Sequence, residues 1–356
     1  MINRTGRKAR ALVGVALLLI AVGITACGSS SSSSSTASST TSTSASVPAG
    51  TPATIRIAYQ DIPNGDLVVK YNKWLEQAFP HTKIEWKVFQ SGGDVNQAIA
   101  AGAVDLGLVG SSPVSRGISQ SLPYKVLWIH DVIGSNEALV VKQGINSISD
   151  LEGKTVATPL ASTSDFSLLA ALKDAGIPQQ KVKIIGAEPD AIVAAWSRGD
   201  IQGAYVWNPD LAKIAADGGK ILTTSADLAK RGQTTYDLGV VTKSFAAKYP
   251  QALATWVTQE DRAVKLLQSN PSAAAQAIGA ELNLSPAEAL SQTKGLIFLT
   301  AAQQAGANYL GGDLAKQIYA QGQFNEQLGQ IPNLAPQSTY LSAVDATPVT
   351  QVASGG

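Results

Sequence analysis

Asp105-Leu106-Gly107-Leu108-Val109-Gly110-Ser111-Ser112-Pro113 is an apolar run that stops in a glycine and two hydroxyls, with proline placed as the first residue of a helix. A short apolar strand that turns directly into a helix belongs to a layered α/β fold, and the flanking sequence repeats that grammar. Upstream, Ile55, Ile57 and Tyr59 alternate with Arg56 and Ala58. After a turn at Pro63-Asn64-Gly65 a helical stripe follows in Leu67, Val68, Tyr71, Trp74, Leu75 and Ala78. Ile84, Trp86 and Val88 form a second strand, Gly92-Gly93 is read as its end, and Val95, Ala98 and Ile99 mark a short helix. The order is βαβα, which predicts a parallel sheet with helices on its faces.

The pattern restarts after Gly153, with strands at 154–158, 183–186 and 203–207 and helices at 164–175 and 191–198. Leu168, Leu169 and Leu172 form the buried stripe of the first of these helices, and Gly176 can take the left-handed stop after it. Beyond Lys243 the chain turns almost wholly helical, at 250–268, 272–281, 285–293 and 311–328, and residues 333–356 read as a loosely held tail. Glu137-Ala138-Leu139-Val140-Val141 separates the two α/β units, and Asp237-Leu238-Gly239-Val240-Val241 follows the second. Each is a carboxylate heading an apolar strand. If these are crossings between lobes, both carboxylates face a cleft; otherwise each is an ordinary solvated strand end.

Residues 1–10 carry Arg4, Arg7, Lys8 and Arg10 with no acid, and Ala11–Val22 is an apolar run too short for an ordinary membrane span. That pattern predicts a secretory signal at 1–26. It ends in Ile24-Thr25-Ala26-Cys27-Gly28, which is similar to the bacterial lipoprotein processing box, and Cys27 is the only cysteine. A lone thiol in an exported protein has no internal disulfide partner, so lipid attachment gives it a use. The Ser/Thr/Ala tract within 27–51 lacks the apolar residues to build a core and is read as a tether to the outer face of the cell membrane. Loss of 1–26 would move the formal charge from +1 to −3, which argues against nucleic acid as a partner.

Two segments can cradle an anion: Gly110-Ser111-Ser112-Pro113 and Ala161-Ser162-Thr163-Ser164. Each offers hydroxyls and the free amides of a helix start, although the same residues also serve as plain helix caps. Trp207-Asn208-Pro209 ends a strand of the second unit, where an indole can wall the cleft or pack in the core. Catalysis is poorly supported. His81 and His130 have no metal-ligand partner at useful spacing, and neither a nucleophile elbow nor a phosphate loop is present. No metal, cofactor or enzymatic activity is therefore expected, although an enzyme on the same fold remains a competing reading.

Several strings resemble the substrate-binding proteins of taurine and alkanesulfonate ABC transporters. They are Ala58-Tyr59-Gln60, Leu108 to Pro113, Glu137 to Lys142, Ser162-Thr163 with Ser167 to Lys173, Ile192 to Asp200, Gly203 to Trp207, and Asp237, collinear from about Thr54 to Leu328. The resemblance implies a two-lobed periplasmic-binding-protein fold of type II, with parallel-rich sheets, helices on both faces and two interlobe crossings. It implies lobe 1 at 52–138 and 240–330, lobe 2 at 139–239, and a C-terminal tail at 331–356. It places a sulfonate among Ser111, Ser112, Ser162 and Thr163 with Gln60 nearby, and an ammonium between Glu137 and Asp237 against Trp207. The implied protein is a monomer that delivers taurine or a related sulfonate to an ABC permease in the membrane. Amine-free alkanesulfonates, nitrate-like anions and amino acids are the alternative ligands. The string departs from the family at Asp61-Ile62-Pro63, at Gly134-Ser135-Asn136 and at Asp165, where an added carboxylate would repel an anion.

Overall fold

In chain order the strands of the computed structural model are β1 (Thr54–Tyr59), β2 (Lys83–Val88), β3 (Leu106–Gly110), β4 (Tyr124–Ile133), β5 (Glu137–Val141), β6 (Thr155–Thr158), β7 (Lys183–Gly186), β8 (Gly203–Trp207), β9 (Lys220–Thr224), β10 (Tyr236–Thr242) and β11 (Leu296–Ile297). The structure describes residues 50–355, so the signal segment, Cys27 and nearly all of the tether lie outside the described residues. The strands form two sheets. One has the order β11-β4-β10-β3-β1-β2 and the other β7-β6-β8-β5-β9. In each, the βαβ units give parallel pairs, β1 with β2 and β3, and β6 with β7 and β8. Strands β10 and β5 then enter antiparallel to their neighbours. β3, β5, β8 and β10 are buried along their whole length, as continuous apolar runs covered on both faces should be.

The chain passes from the first sheet to the second through 134–136 and returns just before Tyr236. This differs from the expected boundaries of 139 and 239. Glu137 already pairs with Trp207 in the second sheet, whereas Asp237 lies in the first, between Gly110 and Asp131 on its neighbours. An apolar run covered on both faces can be central to either sheet, so its pattern does not say which. The first crossing is tightly packed: a Cβ on Gly134 would lie 2.6 Å from the Gly295 carbonyl oxygen, and one on Gly295 would lie 2.5 Å from the Asn136 nitrogen.

The helices at Pro250–Ser269, Pro271–Leu282, Pro286–Thr293 and Leu314–Gln327 follow their apolar stripes closely. Gly176 has φ +71°, the left-handed stop expected of it. The C-terminal segment corrects its reading as a loose tail. It forms helices at Gln337–Ala343 and Thr347–Ser354 that pack on the first lobe, with Tyr340 and Val349 fully buried. The Tyr340 hydroxyl donates to the Ser115 carbonyl at 3.0 Å and lies 2.7 Å from Ser119 Oγ, while Val344 bridges to Val126. So few apolar residues make a weak periodic signal; a groove already shaped to receive them makes them sufficient.

Candidate functional site

Between the lobes lies a small pocket lined by Gln60, Ile62, Gly92, Gly110, Pro113, Ile133 and Asp237 from the first lobe, Asn136 from the crossing, and Glu137, Ser162, Thr163 and Trp207 from the second. Three helices begin at its wall: Gly92–Ala100, Ser111–Ser119 and Thr163–Asp174. The first amides of a helix have no partner within it, and the aligned peptide dipoles leave that end positive. Convergence of three such ends suits an anion, and no Lys or Arg is among the lining residues. The helix at Gly92 corrects the reading of Gly92-Gly93 as a mere strand end: Ser91 caps it, its side chain accepting from the Asp94 amide at 3.4 Å. Gly92 is needed there for room, since a Cβ would lie 2.9 Å from Pro113 Cγ. Across the cleft, a Cβ on Gly110 would meet Thr163 Cγ2 at 2.7 Å, so the two lobes touch at the pocket and the described form is closed.

The expected hydroxyl donors are largely committed elsewhere. Ser111 and Ser112 are buried but do not line the pocket with their side chains: Ser111 Oγ accepts from the Tyr236 amide at 3.1 Å, and Ser112 Oγ accepts from Asn325 Nδ2 at 3.1 Å. Ser162 Oγ donates to the Pro159 carbonyl at 2.6 Å while capping its helix through the Asp165 amide. The helix starts, rather than free hydroxyls, are thus what these segments present to the void. Gln60 Nε2 donates to the Leu108 carbonyl at 3.2 Å, which fixes its side chain at the pocket edge.

Glu137 is surrounded by hydroxyls. Its Oε2 accepts from Thr163 at 2.6 Å and Ser164 at 2.8 Å, and its Oε1 accepts from Ser225 at 2.6 Å and Ser167 at 3.2 Å. Burial pushes this carboxyl above its ordinary range, and the four donors pull it back. It therefore lines the pocket with its acceptor capacity already engaged by hydroxyls, which differs from its expected role as a bare acceptor for an ammonium. Thr163 spends its hydroxyl proton on Glu137 and so leaves its backbone for an anion.

Asp237 has no such cage. It is 5% exposed and sits opposite Asp131 across β10 and β4. Burial first, then the charges of Asp131 and Glu137, hold its carboxyl well above the usual range. Asp131 is pushed up to about 7 by burial, opposed by Asn64 Nδ2, which donates to it at 3.3 Å. The sequence reading missed Asp131. Its signal was a carboxylate within the buried, largely apolar run 126–133, where a charge needs a reason.

Trp207 joins Ile62, Leu108 and Leu296 in an apolar cluster that spans the cleft, so wall and core packing are the same role for this ring. Asp165, read as a potential repeller of anions, is not part of the lining; its carboxylate accepts from the Ala161 amide at 2.9 Å and lies 3.7 Å from Arg116. His130 is also not as isolated as its sequence neighbours suggest, since it lies fully buried beside Asp66 and Glu260.

Residues 53–273 match the family described as the substrate binding domain of ABC-type glycine betaine transport system. The chain is 38% identical over 261 residues to the taurine-binding periplasmic protein of Escherichia coli K12, covering 71% of this chain and 80% of that protein. In fold it is similar to the alkanesulfonate-binding protein of Xanthomonas axonopodis pv. citri bound to MOPS, with a TM-score of 0.70 at 20% identity over 82% of this chain and 98% of that one. The aliphatic sulphonate binding protein of Escherichia coli gives a TM-score of 0.68 at 20% identity, over 82% and 92% of the two chains. Two sheets joined by two crossings around a closing pocket, together with these similarities, show that the chain belongs to the substrate-binding proteins of ABC transporters.

Proposed function

We propose that the cleft binds taurine, the sulfonate seated at the three helix starts and the ammonium at Asp237, with Trp207 covering the two-carbon link. The observation that carries this reading is the make-up of one small pocket: three helix N-termini, no Lys or Arg in the lining, and the buried carboxyl of Asp237 at its wall beside Asp131. A sulfonate stays ionised and needs donors more than a countercharge, so helix amides hold it without the desolvation cost of a buried Lys or Arg. A primary ammonium supplies the N–H donors that Asp237 and Asp131 lack. A quaternary ammonium such as that of glycine betaine has none and is held by several aromatic faces, whereas Trp207 is the one aromatic residue in the lining.

Bound ligand bridges Gly110 of one lobe and Thr163 of the other, which favours the closed form by its differential affinity. The residues proposed to line the bound ligand are Gln60, Ser162, Thr163, Trp207 and Asp237, with the backbone at Gly110 to Ser112 and with Glu137 setting the wall. Delivery to an ABC permease from a lipid anchor at Cys27 completes the proposal, with the body acting as a monomer. A Cys27→Ser protein that stays with membranes in mature form would remove the anchor from it.

A second reading, an amine-free alkanesulfonate, is favoured by the satisfied state of Glu137. Calorimetric titration of the purified protein with taurine, ethanesulfonate and glycine betaine separates the cases. Taurine should bind most tightly. Ethanesulfonate binding as well as taurine would overturn the ammonium site, and glycine betaine binding best would overturn the sulfonate.

A further inference from the structure

Behind the pocket, three ionisable side chains from distant parts of the chain meet in the first lobe: Asp66 on the helix Gly65–Tyr71, His130 on β4 and Glu260 on the helix Pro250–Ser269. All are at most 1% exposed. His130 Nδ1 lies 3.7 Å from Asp66 Oδ1 and 3.8 Å from Glu260 Oε2, and one ligand-type atom from each residue falls within 4.8 Å of the others. Neither ring nitrogen of His130 has a hydrogen-bond partner, and the carboxyls of Asp66 and Glu260 have none but each other. Unpaired buried charge is costly, and interiors keep it by pairing it or by coordinating a metal.

We propose that Asp66, His130 and Glu260 bind one divalent first-row transition ion, Zn²⁺ or Mn²⁺, as a structural staple. The spacing fits an ion better than direct contact. At 3.7–3.8 Å His130 is too far from either carboxylate to hydrogen-bond, whereas ligands about 2.1 Å from a metal and spread about 120° apart stand roughly 3.7 Å from one another. Two carboxylates and a neutral imidazole cancel a divalent charge, and burial keeps His130 neutral by lowering its affinity for protons. One nitrogen and two carboxylates suit Zn²⁺ or Mn²⁺ better than Ca²⁺, which prefers an all-oxygen shell, or Cu⁺, which prefers sulfur.

The surroundings close tightly around such a centre. A Cβ on Gly65 would come within 3.4 Å of Glu260 Oε2, and one on Gly239 within 3.3 Å of His130 Nε2, so both glycines keep the backbone close to the cluster. The edge of Trp256 faces the imidazole at 5.8 Å between ring centres. An ion here would tie two helices to β4 one residue before Asp131, and Asn64, which caps the Asp66 helix, already bonds Asp131. The staple therefore stands directly behind the carboxylate pair of the pocket. Its existence does not depend on which ligand the pocket takes.

Because the cluster is closed to solvent, the test loads the ion during folding. The whole chain is unfolded in denaturant with chelator, then refolded with Zn²⁺, Mn²⁺ or Ca²⁺ singly, or with chelator alone, and its metal content and melting temperature are measured after gel filtration. About one Zn²⁺ or Mn²⁺ per chain is expected, with a melting temperature several degrees above the chelator sample. An Asp66→Asn/Glu260→Gln double variant should fold without metal, retain less than about a tenth of an ion and melt at one temperature in all four conditions. Wild type that refolds free of metal with an unchanged melting temperature would overturn the proposal. So would equal metal retention by the double variant, which would place the ion elsewhere, or Ca²⁺ uptake matching Zn²⁺.

Discussion

Glu137 and Asp237 each stand near the head of a strand beside a crossing, yet lobe 2 surrounds the first with four hydroxyl donors while lobe 1 sets the second opposite Asp131. Burial raises both, but for the first the four hydroxyls offset part of that cost before any ligand arrives. The second is a charge that the protein alone suppresses, since burial and a like neighbour favour its protonated form. One carboxylate thus serves the architecture of its lobe, and the other is poised for an external cation. The difference comes from what each lobe places around the residue, because both are carboxylates on strands buried along their whole length.

The largest break in this comparison should come from Glu137→Gln. An amide in the cage can no longer accept from four hydroxyls, and each buried donor left unmade costs about 1–3 kcal/mol, so a loss of about 3 kcal/mol of stability is expected in the absence of ligand. Thermal unfolding should show a melting temperature lower by several degrees, with taurine and ethanesulfonate weakened alike. A ligand-free melt equal to wild type would mean the cage is not structural.

Asp237→Asn should behave in the opposite sense. Removing a charge-assisted hydrogen bond to ammonium costs about 1.5–3 kcal/mol, so taurine binding should weaken roughly 10- to 150-fold while ethanesulfonate changes little. The ligand-free variant should be at least as stable as wild type, since it no longer opposes Asp131. Equal losses for both ligands in calorimetry would show that Asp237 supports the hinge instead.

The pH response sharpens the same contrast. Asp131, pushed up to about 7, and Asp237, raised well above the usual range, hold protons more tightly folded than unfolded, so their contribution to stability is complete below about pH 4 and is lost as pH rises through their folded values. Stability of wild type relative to Asp237→Asn should therefore fall as pH rises from 5 to 8. Taurine affinity should rise over that window, because its ammonium replaces the proton. A flat affinity between those pH values would break the argument. The smallest effect is expected from Ser225→Ala, which leaves Glu137 with three donors and should cost about 1 kcal/mol of stability with almost no change in taurine affinity.

Where local signals were strong, the sequence and the structure agree closely: the strand ending at Gly110, the leucine stripe at 168–172 and the helix after Pro250 lie where their periodicity puts them. Agreement fails where the outcome depends on a partner. Ser111 and Ser112 were legible as helix-start residues, but their hydroxyls turn to Tyr236 and Asn325, which are remote in sequence. Residues 333–356 read as a loose tail because the groove containing Ser115 and Ser119, which holds Tyr340, exists only in the folded lobe.

The sequence by itself determined the βα grammar of the two units, the helix starts that line the pocket and the presence of carboxylates at both crossings. These are properties of residues within one or two turns of each other, and short-range sterics, capping and hydrophobic period express them. Only the tertiary structure decided that Glu137 is caged while Asp237 faces Asp131, that Gly92 opens the pocket wall, and that Asp66, His130 and Glu260 meet. Those outcomes depend on which strand lies beside which. An apolar run covered on both faces fits the centre of either sheet equally well, so pairing is chosen by the packing of the whole lobe rather than by the run itself.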